Sequence, residues 1–428
     1  MSEKNPILIA GGGIGGAAAA LALLKKGHAV EVYEQAPALA EVGAGVQISP
    51  NGARALDTLG VFRDLAALSC KPEKKQFRLW NNGTAWPMFD LGETVMADYG
   101  YPYLTVYRPD LLDVLVAGVR AIDPDAIRLG KRAVGYVQDE DGVTLTLEDG
   151  TTARGRALIG ADGVRSAIRT QTWGVDNPVF SGMVTWRGVV PMELLPAHLQ
   201  AMVGNTWIGP GGHVVTYPLR GGKLLNFVAT IDRDDWREEA WNIVGTAEEC
   251  AADFAGWHPD VHAVIRVAPK LFKWALMVRD PMPAWTKGRV TLLGDACHPT
   301  LPFLAQGAVM AIEDGVVLAR CLEALPDDLP GALKRYEEAR VERTRKMVLG
   351  ARDNPVFAAI WRSGFDRADK GGLDTRPVIG MDRLEETFVG DAGLAPARRK
   401  PVHGSDIRVR GGGSACEIER PDADHAGP

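Results

Sequence analysis

Residues 6–35, PILIAGGGIGGAAAALALLKKGHAVEVYEQ, carry the clearest folding pattern in the chain. The apolar run at 6–10 is typical of a buried parallel strand. The Ala- and Leu-rich segment after the glycines predicts a helix that ends at Gly27, a residue suited to the position after a helix C-cap. Residues 28–35 alternate apolar and polar side chains and predict a second strand. The stretch therefore predicts a βαβ unit of a parallel α/β sheet.

The loop between the predicted strand and helix has a spacing that suits a dinucleotide. It contains Gly11, Gly13, Ile14, Gly15 and Gly16. Glycines in the order G-x-G-x-x-G permit a tight turn, close approach of a pyrophosphate and close packing of helix on strand. Glu34 ends the second strand, where a carboxylate accepts ribose hydroxyls. The pattern predicts a dinucleotide site, and the open alternative is a glycine-rich turn of another α/β fold.

The composition excludes several other classes of protein. The chain has 428 residues, a charged fraction of 24% and a formal net charge of −6, which disfavours nucleic acid as a partner. Its five cysteines are widely spaced without a C-x-x-C pair, so neither a disulfide framework nor a zinc ribbon is expected. The N-terminus lacks a signal-peptide pattern, and no run of about 18 apolar residues suggests a membrane span. We expect a cytoplasmic protein with no membrane contact.

The rest of the chain predicts one fold interrupted by another. Helices are expected at 49–60, with Ser49 as N-cap, and at 108–120, and strands joined by Asp-Gly turns within 127–160. The aromatic-rich middle reads as strands, and two long helices follow the strand that contains GRVTLLGDA. Residues 1–177 and 286–365 are predicted to form one dinucleotide-binding α/β domain with C-terminal helices. Residues 178–285 are predicted to form a mostly β domain, and residues 366–428 a polar, flexible tail.

Two further motifs indicate which dinucleotide is bound. GADGVRSAIR at 160–169 and LGDACHP at 293–299, in order after GGGIGG, resemble the fingerprints of the group A flavoprotein aromatic hydroxylases. The resemblance extends along the chain to about residue 350. It implies a Rossmann-like FAD-binding domain interrupted by a mostly β substrate domain. It also implies FAD as cofactor, NADH or NADPH and O2 as co-substrates, and a small aromatic substrate as partner. Homodimers, which are frequent in the family, are the assembly to test.

The reaction implied by the resemblance is hydroxylation of an electron-rich ring. NAD(P)H reduces the FAD, O2 forms a C4a-hydroperoxide, and its terminal oxygen is transferred to the substrate. A hydroxylated aromatic or heteroaromatic carboxylate, of the salicylate, 3-hydroxybenzoate or 6-hydroxynicotinate type, is the expected substrate. Two alternatives stay open: the same fold acting on a larger polyketide- or terpenoid-like substrate, and a non-catalytic dinucleotide-binding protein.

The resemblance also implies roles for individual residues around the cofactor. Asp295 is expected to bond the ribityl chain, Asp162 to support the pyrophosphate region, and Arg108 to contact the FAD. Gln47 is expected to border both the flavin and the substrate. Gln306, Gly307 and Ala308 open a helix whose N–H groups are expected to face the N1–C2=O edge of the flavin.

The best catalytic candidates are His213 and Tyr217, four residues apart on a predicted strand and therefore on one face. The 3-hydroxybenzoate and 6-hydroxynicotinate hydroxylases have a similar His-x-x-x-Tyr pair. Histidine has a suitable pKa to accept a phenolic proton, and tyrosine can relay or orient it. The alternative is a histidine and a tyrosine that only bond the sheet backbone. We expect the pair to contact the substrate.

The loop at residues 299–308 is expected to shape the substrate pocket. Pro302 stands where 3-hydroxybenzoate enzymes of the family have glutamine, and Phe303 stands where several salicylate and 6-hydroxynicotinate enzymes have histidine. Both residues are expected to contact the substrate. Arg187 and Arg220 are candidates for a substrate carboxylate, although ordinary roles in the sheet or at the surface are favoured. The cluster Asp295, Cys297 and His298 is not expected to bind a metal, because structural zinc takes four ligands and no second cluster follows.

Overall fold

The computed structural model describes residues 5–39, 44–233 and 243–353, so the predicted tail at 366–428 lies outside the described residues. The elements up to residue 173 are β1 (Ile7–Ala10), α1 (Ile14–Lys25), β2 (Val30–Tyr33), β3 (Gly45–Ile48), α2 (Pro50–Thr58), α3 (Phe62–Leu68), β4 (Lys74–Leu79), β5 (Ala85–Asp90), α4 (Glu93–Tyr99), β6 (Leu104–Tyr107), α5 (Arg108–Ile122), β7 (Ile127–Arg128), β8 (Ala133–Gln138), β9 (Val143–Leu147), β10 (Thr152–Gly155), β11 (Ala157–Gly160) and α6 (Ala167–Trp173). The middle of the chain forms β12 (Val179–Pro191), β13 (Gly204–Gly209), β14 (Gly212–Leu219), β15 (Leu224–Asp232), β16 (Ile243–Gly245), α7 (Ala247–Asp253), α8 (Pro259–Val267) and β17 (Leu271–Val278). The last described part forms β18 (Thr286–Lys287), β19 (Val290–Leu292), α9 (Gly307–Ala324) and α10 (Leu329–Arg352).

A six-stranded sheet in the order β18-β19-β11-β1-β2-β7 forms the centre of the first domain. All its neighbouring strands are parallel except β18 and β19, and β1 and β11 are buried throughout. The predicted βαβ unit is confirmed. Gly27 follows α1 with φ +81°, and its N–H donates to the carbonyl of Leu24 at 2.9 Å, as expected after a helix C-cap. The strand predicted in GRVTLLGDA returns to this sheet as β19.

Two local predictions have different outcomes. The strands predicted within 127–160 are present as the antiparallel sheet β10-β9-β8. Ser49 occupies the N-cap position of α2, but its hydroxyl makes no capping bond. Instead it donates to the side-chain oxygen of Asn51 at 2.6 Å and accepts from Gln306 at 3.0 Å. Bonds to the side chains of Asn51 and Gln306 therefore replace the expected cap.

The second large sheet has eight strands in the order β16-β17-β12-β15-β14-β13-β4-β5. Six of them come from the predicted β domain at 178–285, and β4 and β5 come from 74–90, which the sequence analysis left unassigned. The strand β4 joins by parallel pairing with β13, with Lys75 opposite Gly204. The middle of the chain also contains helices α7 and α8, which were not predicted. The domain boundaries stay a prediction.

The two faces of this sheet differ in polarity. One face packs against residues of α7 and α8 in a buried apolar cluster that includes Trp186, Trp207 and Phe227. Alternation along the strands turns His213 and Tyr217 to the opposite face. There the ribbon β3–β6 crosses the end of the sheet, and Gly45 N–H donates to Asn226 Oδ1 at 2.6 Å. This second face, which we call the cleft face, therefore carries polar side chains beside the first domain.

Among the helices within the described residues, none is both long enough and apolar enough to cross a membrane.

Candidate active site

The glycine loop has the geometry of a phosphate-binding turn. Gly11 has φ +101°, and a Cβ there would lie 2.4 Å from the carbonyl oxygen of Ala161. A Cβ on Gly16 would lie 1.9 Å from the carbonyl oxygen of Gly11, so helix and turn approach too closely for any side chain. Gly13, by contrast, faces open space, with no atom within 4 Å of an added Cβ. The loop is thus packed on its inner side and open on the side where a pyrophosphate would lie.

Glu34 lies beside this loop at the end of β2. Its Oε2 accepts a hydrogen bond from the N–H of Gly12 at 2.6 Å, and its Oε1 accepts from the N–H of Ala36 at 2.8 Å. A carboxylate has about four lone-pair positions, so these two bonds leave acceptor capacity for ribose hydroxyls. The predicted position of Glu34 next to the loop is therefore observed, and its bond to a ribose stays a prediction.

Asp162 supports the loop indirectly. Its carboxylate accepts from the hydroxyl of Ser166 at 2.5 Å and from the N–H of Ala167 at 2.8 Å, so it caps the start of α6. Its Cα would be 3.0 Å from a Cβ on Gly11. Burial raises the pKa of Asp162, and the bonds from Ser166 and the α6 backbone partly offset that rise. Asp162 thus ties the start of α6 to the segment that packs against Gly11, and its support of a pyrophosphate stays a prediction.

Asp295 follows β19 at the expected cofactor site, which we call the cleft. Its side chain is exposed to solvent although its chain neighbours Gly294 and Ala296 are buried. The surrounding protein raises the pKa of Asp295 by desolvation, and the positive charges of His298 and Arg108 partly oppose that rise. Arg108, the first residue of α5, therefore lies near Asp295, as expected if both border one cofactor.

Behind Asp295, His298 belongs to a buried ion network. Its Nε2 lies 2.6 Å from Asp314 Oδ2, and Arg340 Nε donates to Asp314 Oδ1 at 2.6 Å. Asp314 also accepts from the N–H of Gly294 at 3.1 Å. Burial opposes ionisation of Asp314, but His298 and Arg340 outweigh it and lower its pKa to about 2. Burial likewise lowers the pKa of His298, but its interactions with Cys297 and Asp314 outweigh burial and raise the pKa well above its usual value.

The neighbouring Cys297 is also buried, and its side chain contacts that of His298. Its Sγ lies 3.4 Å from the carbonyl oxygen of Gly294, and burial raises its thiol pKa. Asp295 faces the cleft, whereas His298 faces Asp314 inside the protein. Asp295 is therefore set apart from Cys297 and His298, whose side chains contact each other. Across the described residues no group of three or more His, Cys, Asp or Glu side chains is arranged around a metal position.

The helix α9 begins at the edge of the same cleft. Gln306 is its N-cap residue, and the side chain donates to Ser49 and accepts from Asn51 at 3.2 Å, which fixes it against α2. The first turn, from Gly307 and Ala308 onward, contains no acidic residue and no side-chain cap. The free N–H groups and the positive end of the helix dipole therefore remain available to an anionic or electron-rich edge of a ligand.

His213 lies opposite the loop that follows Asp295. Its ring is 5.6 Å from the ring of Phe303, in an edge-to-face arrangement. Only 2% of His213 is exposed, and burial lowers its pKa to about 3. The imidazole is therefore neutral near pH 7. Pro302, the residue before Phe303, is exposed at the same loop.

Tyr217 lies at the other end of the same strand, in a chain of hydrogen bonds. Its hydroxyl bonds the side chain of Gln47, whose Oε1 also accepts from the hydroxyl of Tyr103 at 2.8 Å. Lys75 Nζ in turn donates to the hydroxyl of Tyr103 at 3.1 Å. Burial raises the pKa values of both tyrosines, so both are neutral phenols. Sequence reasoning found Tyr217 and Gln47 but missed Tyr103 and Lys75.

His213 and Tyr217 share a face but do not touch through the strand. Residues four apart on a strand are separated by about 13 Å, because each residue rises about 3.3 Å. A direct proton relay between the two side chains, one of the roles considered from sequence, therefore needs a bound molecule between them. The spacing instead suits recognition of two ends of one small ring compound.

The two candidate arginines have different surroundings. Arg220 forms a salt bridge with Asp110 and lies 4.4 Å from the ring of Tyr107, so it has the ordinary role that the sequence favoured. Arg187 lies over the ring of Trp274 at 4.8 Å and close enough to Tyr217 to act on the pKa of that phenol. Arg187 thus lies close to the cleft face, whereas Arg220 is bound to Asp110.

Comparison with known proteins identifies the family. A family model described as an FAD binding domain matches residues 4–351. A 3-amino-4-hydroxybenzoate 2-monooxygenase of Streptomyces platensis is 39% identical over 348 residues, which cover 81% of this chain and 87% of that protein. The chain belongs to the FAD-dependent aromatic hydroxylases. The family predicted from the three fingerprints is confirmed.

Further relatives of this hydroxylase agree in sequence and in fold. A 3-hydroxybenzoate 6-hydroxylase of Polaromonas naphthalenivorans is 39% identical over 349 residues, covering 81% of this chain and 86% of that protein. The crystal structure of Klebsiella pneumoniae HpxO complexed with FAD and uric acid matches with a TM-score of 0.77 and 26% identity. That match covers 91% of this chain and 97% of the other. The protein is therefore an FAD-dependent aromatic-ring monooxygenase that uses NADH or NADPH and O2.

The residues on the cleft fit FAD. The open side of Gly13, the uncapped start of α9 and the solvent-facing carboxylate of Asp295 are features that suit a pyrophosphate, a flavin edge and a ribityl chain, respectively. The loop Gly11–Gly16, Glu34, Arg108 and Asp295 would hold the cofactor in this hydroxylase, with Asp162 and the His298–Asp314 pair positioning them. These individual roles stay predictions.

Proposed function

We propose that the enzyme hydroxylates a small hydroxylated aromatic or heteroaromatic carboxylate bound between the cleft face and the loop at Pro302 and Phe303. The observation that carries the proposal is a neutral, buried His213 against Phe303, with a neutral Tyr217 at the other end of the strand. Relatives named for 3-hydroxybenzoate and 3-amino-4-hydroxybenzoate, both 39% identical, support this class of substrate. The spacing of the two side chains suits a compound with one aromatic ring.

FAD held in this site would supply the electrophilic oxygen atom, with electrons from NADH or NADPH and the oxygen from O2. The protein's task is to make the ring electron-rich and to exclude water. Phe303 and the buried residues Met183 and Trp274 form an apolar cluster beside His213, so this end of the site is poorly hydrated. Exclusion of water protects the reactive oxygen donor from wasteful decay.

His213 is proposed as the acceptor of the ring hydroxyl proton. A pKa of about 3 makes full proton transfer unfavourable in the ground state, so His213 first accepts a hydrogen bond from the neutral phenol. When the ring begins to bond the incoming oxygen, it develops positive charge and its hydroxyl becomes a stronger acid. The proton then moves to the imidazole, which is general-base catalysis confined to the transition state. Tyr217, held by Gln47, is proposed to orient the other end of the substrate.

The substrate class is tested with the FAD-loaded enzyme and a panel of compounds. The panel contains hydroxybenzoates, 6-hydroxynicotinate, uric acid and one larger polycyclic phenol, each scored for hydroxylated product per NADH or NADPH consumed. We expect product only with small hydroxylated acids. Product from the polycyclic phenol alone would favour the larger-substrate alternative, and product from uric acid alone would remove the carboxylate from the proposal.

We further propose a reducing compartment, the cytoplasm, as its location, and a homodimer as its assembly. The four cysteines within the described residues are buried free thiols, which supports the first point. Light scattering on the purified enzyme tests the second, and a monomer mass would reject it.

A further inference from the structure

Lys75 occupies an unusual position for a lysine. It lies on the same side of β4 as Phe77 and Leu79, which are both buried, so it points to the cleft face rather than to solvent. It pairs with Gly204 on β13. Asn205 pairs with Thr216 in the antiparallel pair of β13 and β14, so the next position along puts Gly204 beside Tyr217. Lys75, Gly204 and Tyr217 therefore form one row across three strands.

The missing side chain of Gly204 leaves room for the lysine in this row. A Cβ on Gly204 would lie 3.0 Å from Lys75 Cγ, so any other residue there would press on the lysine stem. The stem passes this gap, and the ammonium reaches the hydroxyl of Tyr103 at 3.1 Å and lies 5.0 Å from its ring centroid. Tyr103 is bonded to Gln47, which also bonds Tyr217. Three hydrogen bonds, through Tyr103 and Gln47, thus join the ammonium of Lys75 to Tyr217, the residue proposed to orient the substrate.

The charge of Lys75 is not balanced within the described residues. No acidic side chain among them forms an ion pair with Lys75, whereas Arg220 on the same domain is paired with Asp110. Burial lowers the pKa of Lys75 to about 8, and no neighbouring carboxylate raises it back. The ammonium still predominates at neutral pH, and two of its three donors are left after the bond to Tyr103.

We propose that Lys75 and Tyr103 form the subsite that binds the carboxylate of the aromatic substrate. This inference rests on the proposed function and names the group that recognises the acid. A carboxylate placed there supplies the missing counter-charge and forms charge-assisted hydrogen bonds. Its ring then extends along β14 toward His213, about 13 Å from Tyr217 along the strand. His213 and Tyr217 are neutral, so they select the hydroxyl and the ring, and Lys75 selects the charge.

The test compares a charged ligand with its uncharged analogue. The FAD-loaded wild type, Lys75→Met and Lys74→Met are titrated with 3-hydroxybenzoate and with 3-hydroxybenzamide, and binding is followed by the change in flavin absorbance. Methionine keeps the length of the stem and removes the charge. Lys74 is the matched control, because it is the adjacent residue on β4 and is exposed. The same titrations with 6-hydroxynicotinate and its amide show whether the result depends on the ring.

We expect Lys75→Met to weaken binding of the acids by about tenfold or more, which corresponds to loss of one charge-assisted bond. Binding of the amides should change by less than about twofold, and Lys74→Met should behave like wild type with every ligand. Equal weakening of acid and amide by Lys75→Met would show that Lys75 only holds Tyr103 in place and would overturn the inference. Unchanged affinity for the acids would overturn it as well.

The outcome for wild type separates the two proposals. If wild type hydroxylates the acids but Lys75→Met does not discriminate acid from amide, the proposed function stands and the subsite is wrong. If wild type neither binds nor hydroxylates any aromatic acid, the proposed function and the proposed subsite are both wrong. Flavin content of each variant, read from its absorbance, shows that the comparison is made between folded, loaded enzymes.

Discussion

The Nε2 atom of His298 lies 2.6 Å from the Oδ2 atom of Asp314, in the interior of the protein. This contact joins the loop that carries Asp295 to α9, and Arg340 extends it to α10. Burying charged groups of this kind requires a large desolvation energy, and removal of one of them leaves the remaining buried charges unpaired. The pair therefore fixes the loop of Asp295 and the helix α9 relative to each other.

Asp314→Asn should destabilise the enzyme by about 3–5 kcal/mol, because His298 and Arg340 lose their shared counter-charge in a buried place. Urea unfolding of the FAD-loaded enzyme measures this loss, and FAD dissociation measures the effect on the cleft. Asp327→Asn, an exposed carboxylate before α10, is the control and should stay within about 0.5 kcal/mol of wild type. A similar small effect for Asp314→Asn would show that the network contributes little.

The buried neutral state of His213 predicts a pH dependence of stability. Its folded pKa of about 3 lies below the ordinary value of 6.5, so its contribution is complete above pH 6.5 and is lost as the pH falls. Between pH 7.5 and pH 5, His213 becomes protonated in the unfolded chain but stays neutral in the native protein. Its contribution to the free energy of unfolding therefore falls by about 2 kcal/mol over this range. The free energy of unfolding of wild type should fall over this range by that amount more than that of His213→Gln. Parallel pH profiles would mean that water reaches His213.

Two glycine variants should separate folding from cofactor binding. Gly13→Ala adds a methyl group to open space, so stability should stay close to wild type while the affinity for FAD falls, because the methyl enters the phosphate side of the loop. Gly16→Ala places its methyl 1.9 Å from a backbone oxygen and should lower both stability and soluble yield. Calorimetry of FAD binding and thermal unfolding give the two readouts. Full FAD affinity in Gly13→Ala would place the pyrophosphate elsewhere.

Variants of the cleft face should uncouple the reaction. His213→Ala and Tyr217→Phe should retain FAD but convert less of the consumed NADH or NADPH into hydroxylated product, and release hydrogen peroxide instead. The reason is that the ring hydroxyl is no longer deprotonated or the substrate is misoriented. Tyr136→Phe, in the three-stranded sheet, is the control and should keep wild-type coupling. Wild-type coupling in either cleft variant removes that residue from the mechanism.

Much of the cofactor site could be predicted from sequence because its parts are close together along the chain. The glycine loop, Glu34 and the strand between them lie within about 30 residues, and covalent spacing alone brings them into register. The fingerprints around Asp162 and Asp295 are likewise short motifs whose geometry is local. Ser49 shows the limit, because a tertiary bond to Gln306 overrides the expected cap.

The unpredicted parts of the site come from distant segments. Lys75, Tyr103 and Tyr217 meet because a parallel pair joins β4 to β13 and an antiparallel ribbon crosses the sheet. One signal was available: Lys75 lies on the same face of its strand as the buried Phe77 and Leu79, which is unusual for a lysine in an amphipathic strand. Asp314 offers a similar signal, as a carboxylate within the apolar run of α9. Neither signal predicts which residues Lys75 and Asp314 contact.

The sequence by itself determined the α/β sheet, the FAD family and the short motifs, since periodicity and fixed spacing encode local geometry. Only the tertiary structure decided which charges are buried, that His213 is neutral, and that a lysine from β4 lies in line with Tyr217. The physical reason is that desolvation and cross-strand register depend on how segments far apart in the chain pack together. A one-residue shift in that register would turn Lys75 to the opposite face.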